Sequence, residues 1–184
     1  MSALVAQNIL QDKDEDYTRC RSNLLSGLMS SDYEKIIAVF NRLLASIPYD
    51  DFSAAARNSI SDNAYDMQPQ EWLYRSNIIS FLRGCGVVTF AEMHTNLGRS
   101  DIVLSHKGHI WVLELKVAYE GYDPIKKAEE AYKQIVEKNY AKPYPNALCM
   151  GLAIDDAKRM ITHYTLPSSK EGGFETKNIN QESE

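Results

Sequence analysis

The chain has 184 residues, 44% of them apolar and 24% charged, which fits one folded domain or one domain with an appendage, given ~100–200 residues per domain. This composition excludes a disordered chain; no apolar run approaches the ~18–20 residues that cross a bilayer, and the N-terminus lacks the order of a secretion signal, so a cytoplasmic location is expected. Net charge is −5, from 20 Lys and Arg against 25 Asp and Glu, which at first sight disfavours a partner as negative as nucleic acid.

The first predicted feature is an acidic stretch, residues 11–16, with four acids and one Lys. Like the tail 167–184, with two Lys against four Glu, it reads as solvated, poorly ordered polymer; after Pro167 only Phe174 and Ile179 offer large apolar surface. Residues 17–166 are neutral, 17 basic against 17 acidic. Leu24, Leu25 and Leu28 suggest a helix ending near Ser30–Ser31. Tyr33, Ile36, Ile37, Phe40, Leu43, Leu44 and Ile47 recur at amphipathic helical spacing, with Ser31 or Asp32 as N-cap and Pro48 as terminator. A short helix is expected over Phe52–Ile60, and a longer one over Gln70–Arg83, stopped by Gly84 and Gly86.

Beyond Gly86 the apolar period changes to two. Val87–His94, Arg99–Ser105 and His109–Ala118 read as consecutive strands, with turns at Asn96–Gly98 and Lys107–Gly108. Asp123-Pro124 is an N-cap followed by Pro in the first helical turn, opening a helix to about Tyr140 whose buried stripe is Ile125, Ala128, Tyr132, Ile135 and Val136. Asn146–Ile154 and Arg159–Leu166 are two further strands. Cys20, Cys85 and Cys149 are odd in number and lack C-x-x-C pairing, so they read as reduced packing residues. His94, His106, His109 and His163 show no metal-binding spacing, and His106 and His109, flanking a turn, are expected to be exposed.

The chemistry concentrates on Ile110-Trp111-Val112-Leu113-Glu114-Leu115-Lys116-Val117. Glu114 and Lys116, two residues apart, share one face of this apolar strand, and Trp111, Leu113, Leu115 and Val117 form the core face. Taken alone, such a pair more often marks a solvated surface. A two-residue Lys107-Gly108 loop, however, sets His106 opposite His109 and Asp101 opposite Glu114, with Cβ atoms ~4.5–5.5 Å apart. Two acids so placed repel unless a cation lies between them. Two carboxylates, a backbone carbonyl (that of Leu115) and water describe a Mg²⁺ site. A different turn would slip this register.

Asp101 followed by Glu114-Leu115-Lys116 on the next strand resembles the motif of the PD-(D/E)xK nuclease superfamily. The likeness is greatest to the nuclease-like domain found C-terminal to an AAA-ATPase-like domain in many bacterial proteins. It rests on Glu92, Gly98-Arg99-Ser100-Asp101, Glu114-Leu115-Lys116, and Gln134 with Lys138-Asn139-Tyr140, and covers roughly residues 65–165; Ser100 stands where the superfamily name has Pro. The resemblance implies an α/β, restriction-endonuclease-like core (helix, three-stranded antiparallel meander, helix, strand) over 61–166. An N-terminal helical extension over 1–60 and a polar, disordered tail over 167–184 complete the expected organisation.

By the same resemblance, Asp101, Glu114, Lys116 and Gln134 are catalytic. Asp101, Glu114 and the Leu115 carbonyl bind Mg²⁺, with Mn²⁺ as substitute; Glu71 joins through water, although an acid near a helix N-terminus is favoured in any case. Arg99, Lys138 and Tyr140 bind substrate, and Glu92 orients Arg99 or the metal's surroundings. Lys126, Lys127, Lys133 and Lys142 are further candidate phosphate contacts, interleaved with Glu129, Glu130 and Glu137 as on many merely soluble helices. The implied function is Mg²⁺-dependent hydrolysis of DNA, or RNA, by metal-activated water. The alternative is a non-catalytic module of this fold that binds nucleic acid or a protein partner and regulates an upstream ATPase-like domain. No Gly-x-x-x-x-Gly-Lys-[Ser/Thr] loop is present for ATP, and no membrane partner is expected.

Overall fold

The structure is a computed structural model that describes residues 3–47, 69–95, 98–169 and 173–179; the helix expected over Phe52–Ile60 lies outside the described residues. Helices α1 (Ala3–Ser30), α2 (Tyr33–Ala45) and α3 (Pro69–Gly84) precede strands β1 (Val88–Thr95), β2 (Gly98–His106) and β3 (His109–Ala118). Helix α4 (Pro124–Glu137) then leads to β4 (Leu148–Asp155), β5 (Met160–Pro167) and β6 (Phe174–Asn178). The six strands lie in sequence order in one sheet. All neighbours are antiparallel except β3 and β4, which run parallel; a parallel pair needs a long crossover, supplied here by α4.

Local chemistry explains the element ends. Asp32 caps α2 by accepting the Lys35 N–H, and Asp123 caps α4 by accepting the Ile125 N–H ahead of Pro124. At the β2–β3 turn both Lys107 and Gly108 adopt positive φ, 47° and 87°, as a two-residue type I′ turn requires. The expected register follows, with His106 opposite His109 and Ile102 opposite Leu113.

The larger core lies between the sheet and α1–α3. Leu24 and Leu28, then Ile36, Ile37, Phe40 and Leu44, then Tyr74, Ile78 and Leu82 cover Ile102, Leu104, Trp111, Leu113, Leu115 and Val117. Asn41 of α2 bonds both the carbonyl and the N–H of Ile161. On the other face Val103 and Val112 pack with Ile135 and Tyr140. Helix α4 sits directly on β4, where a Cβ at Gly151 would fall 2.4 Å from the Tyr132 nitrogen and 2.6 Å from the Ala128 carbonyl oxygen; only glycine admits so near a backbone.

Four expectations need correction. The acidic stretch 11–16 is helical, within α1; Asp16 pairs with Arg19 and Arg42, which offsets its local charge. The tail is not wholly unstructured, because 174–178 forms β6 along β5, with the Thr165 and Thr176 hydroxyls 2.8 Å apart. Ile125 and Val136 of α4 are exposed rather than buried; the inward stripe is Ala128, Ala131, Tyr132 and Ile135, because the backbone at Ala128 and Tyr132 is the part of α4 that seats on Gly151. His106 and His109 are half-buried, because the tight turn leaves them against their neighbours. Cys20, Cys85 and Cys149 are free thiols, as read from the sequence. Among the described residues no helix is long and apolar enough to cross a membrane.

Candidate active site

The β2–β3 ladder stops at Ile102–Leu113, one step short of the Asp101–Glu114 pair. There the two strands are joined through side chains. Glu114 Oε2 accepts the Asp101 N–H at 3.1 Å, and Asp101 Oδ2 accepts the Leu115 N–H at 2.9 Å. Both acids are buried, at 5% exposure for Asp101 and 1% for Glu114, so the solvated-surface reading does not hold. Within an extended residue the N–H and C=O face the same neighbouring strand, so the Leu115 carbonyl opens on the same split.

Helices on both sides of the sheet reach this split. From α4, Gln134 Nε2 donates to Glu114 Oε1 and, at 3.3 Å, to the Tyr140 hydroxyl. That hydroxyl also accepts the Arg99 N–H at 3.2 Å. Tyr140 is only 2% exposed, so it lies beneath the site and braces Gln134 and β2 rather than facing substrate. From α3, Glu71 lies 3.9 Å from Lys116 Nζ, which is itself 3.9 Å from Glu114 Oε1. Asp101, Glu114, Lys116, Glu71 and Gln134 are thus brought together. Lys138, exposed at the end of α4, runs beside Gly98, where a Cβ would lie 3.6 Å from its Cδ. Arg99 Nη1 is 3.3 Å from Glu92 Oε2.

The residue that sequence reasoning missed is Arg75. Its guanidinium is buried and forks, with Nη2 donating to Glu92 Oε1 at 2.7 Å and Nη1 to Asp101 Oδ1 at 3.2 Å. A signal existed, because Arg75 falls on the inward stripe Glu71, Arg75, Ile78, Leu82 of α3, where a charge needs a partner. Gly151, which lets α4 approach, was also overlooked; a glycine inside an apolar strand is its signal.

Electrostatics mark the site as unsatisfied in its fully charged form. Burial, reinforced by the Asp101 carboxylate, pushes the Glu114 carboxyl up to about 8, against the pull of Lys116. Burial likewise raises Glu71, with Lys116 opposing. Burial and the Asp101 charge thus favour the protonated form of Glu114, and a cation between the two acids would oppose that shift. Among the described residues no three His, Cys, Asp or Glu side chains converge on one point. The donor set is two carboxylates and a backbone carbonyl, all oxygen; it fits Mg²⁺, which completes its shell with several waters, and does not suit a metal needing nitrogen or sulfur.

The mixed sheet, the flanking helices and the Asp-x₁₂-Glu-x-Lys arrangement define a restriction-endonuclease-like α/β protein. Residues 69–164 match the model of the PD-(D/E)XK nuclease superfamily, and the chain belongs to that superfamily. It is also 27% identical over 126 residues to the "Uncharacterized protein in vnfD 5'region" of Azotobacter chroococcum mcd 1; the match covers 68% of this chain and 22% of that protein. The chain thus spans about a fifth of the relative's length. No solved structure matches.

Proposed function

We propose that the chain is a Mg²⁺-dependent nuclease that hydrolyses phosphodiester bonds of DNA. The observation that carries this reading is the buried Asp101–Glu114 pair, set where β2 and β3 part, with Lys116 beside it. Asp101, Glu114 and the Leu115 carbonyl would hold the ion, and Glu71 would join them through water. When bound there, the ion would supply Lewis-acid chemistry toward the scissile phosphate and an attacking water. Lys116 orients that water and offsets phosphate charge. Gln134 fixes the Glu114 carboxylate, and Tyr140 in turn holds Gln134. Arg99, steadied by Glu92, and Lys138 bind the flanking phosphates.

The test is cleavage of end-labelled single- and double-stranded DNA and of RNA by the purified chain in Mg²⁺, beside Asp101→Asn and Glu114→Gln. Loss of an outer partner alone costs ~10–100-fold in affinity or activity, so loss of a ligand is expected to exceed ~100-fold. Cleavage by both variants at the wild-type rate, or no cleavage of any polymer by the wild type, would reject the reading.

A further inference from the structure

Arg75 is the charged group in this site that the nuclease motif leaves unused. It is 4% exposed, so a full positive charge is held inside the protein, where it persists only if paired. It bridges two carboxylates from different strands, Asp101 of β2 and Glu92 of β1. In two-ion hydrolytic centres a second cation stands ~3.5–4 Å from the first, and Arg75 is already a positive charge against Asp101.

The backbone is bent to make this contact. Glu92 has φ 55° in the middle of β1, and the β1–β2 ladder skips the Glu92–Asp101 step while pairing Ala91 with Ile102 and Met93 with Ser100. A non-glycine residue in the left-handed region is strained and survives only where its surroundings hold it. Here it is held by Arg75 on one carboxylate oxygen and Arg99 on the other.

We propose that Arg75 occupies the place of a second cation, so that the site takes one divalent ion, between Asp101 and Glu114, and not two. The inference rests on the nuclease reading of that pair. Both Asp101 oxygens are already assigned, Oδ1 to Arg75 and Oδ2 to the Leu115 N–H on the Glu114 side. An ion entering at the β2–β3 split finds Asp101 and Glu114, whereas the Asp101–Glu92 side is closed by the guanidinium. Charge balance agrees. The linked ion pairs join four carboxylates (Glu71, Glu92, Asp101, Glu114) to three cations (Arg75, Arg99, Lys116), one net negative charge. One divalent ion leaves a single positive charge to meet a phosphate; two would bury a threefold excess.

The test counts Mn²⁺ bound to the full chain by titration calorimetry, with electron paramagnetic resonance to detect paired ions. One Mn²⁺ per wild-type chain, with no spin-coupled pair, is expected. Arg75→Met, which frees Asp101 Oδ1 and Glu92, is expected to take a second Mn²⁺, doubling the count, while Arg75→Lys keeps the charge and stays at one. Two ions on the wild type, or a folded Arg75→Met that still holds one, overturns the proposal and leaves the nuclease reading standing. No Mn²⁺ on the wild type overturns both. The wild-type count decides the matter even if Arg75→Met does not fold.

Discussion

Gly151→Ala tests how the two faces of the site are held together. The new Cβ would lie 2.4 Å from the Tyr132 nitrogen, 2.6 Å from the Ala128 oxygen and 2.9 Å from the Tyr132 Cα, whereas ordinary contact begins at 3.4 Å. All three neighbours are backbone, so no side chain can swing aside, and α4 must retreat by about 1 Å. Overpacking of a tight core costs ~1–3 kcal/mol, and opposition of two backbones puts this substitution at ~3 kcal/mol. With a urea slope of ~1–3 kcal/mol per molar, the unfolding midpoint should drop by ~1–3 M. Because Gln134 lies two residues beyond Tyr132, the same retreat draws its amide away from Glu114, and a displacement of that size can cost ~100-fold in turnover. Urea unfolding followed by circular dichroism and by fluorescence measures the first effect; nuclease assay of the folded fraction measures the second. Gly108→Ala is the control, for Gly108 has φ +87° and nothing within 4 Å of a new Cβ, so it pays only the left-handed strain of ~1–2 kcal/mol. A Gly151→Ala chain as stable as wild type, within ~0.5 kcal/mol, would refute the seating of α4 on β4.

Two further outcomes follow from burial. Glu114 is raised in the folded chain from its ordinary 4.5 to about 8, so the folded state binds that proton more tightly than the unfolded one. The associated stability is fully present below about 4.5 and is lost as pH rises through about 8. Its size is at most ~5 kcal/mol at ~1.4 kcal/mol per pH unit. Melting in a chelator from pH 5 to 9 should show this decline, and Glu114→Gln should flatten it; equal slopes in the two proteins would refute the assignment. The two tryptophans differ sharply, with Trp72 56% exposed and Trp111 0% exposed. Acrylamide should quench one part of the emission readily, and Trp72→Phe should leave a blue-shifted, resistant remainder; uniform quenching would contradict the burial of Trp111, whose ring meets that of Tyr33 edge-on at 5.4 Å between centroids.

Features written in short segments were legible in the sequence. The Lys107-Gly108 turn sets the β2–β3 register, the Asp32 and Asp123 caps start their helices, and the alternation along β3 separates Trp111 and Leu113 from Glu114 and Lys116. Features that depend on distant partners were not. Asp16 looks like part of a solvated run until Arg42, 26 residues away, comes beside it. Ile125 and Val136 fit an apolar stripe, yet Gly151 determines which side of α4 faces the sheet. Residues 174–178 have little apolar content of their own and order by adding to the edge of β5. In the site, the acid pair was legible because it follows from the hairpin, whereas Arg75 joins it from α3 through a bend at Glu92 that no local pattern announces.

The parting of β2 and β3 makes Asp101 and Glu114 structural members of the sheet, apart from the chemistry proposed for them. Their carboxylates stand in for the peptide rungs that would otherwise close the ladder. A descendant of this chain that gave up its chemistry by losing either acid would also leave a backbone N–H in the interior without an acceptor, a cost of ~1–3 kcal/mol. On the nuclease reading, loss of activity through either acid is thus opposed by the architecture itself. On that reading the less costly way to silence the chain is to change Lys116, Arg99 or the exposed Lys138, keeping both acids as mortar for the sheet.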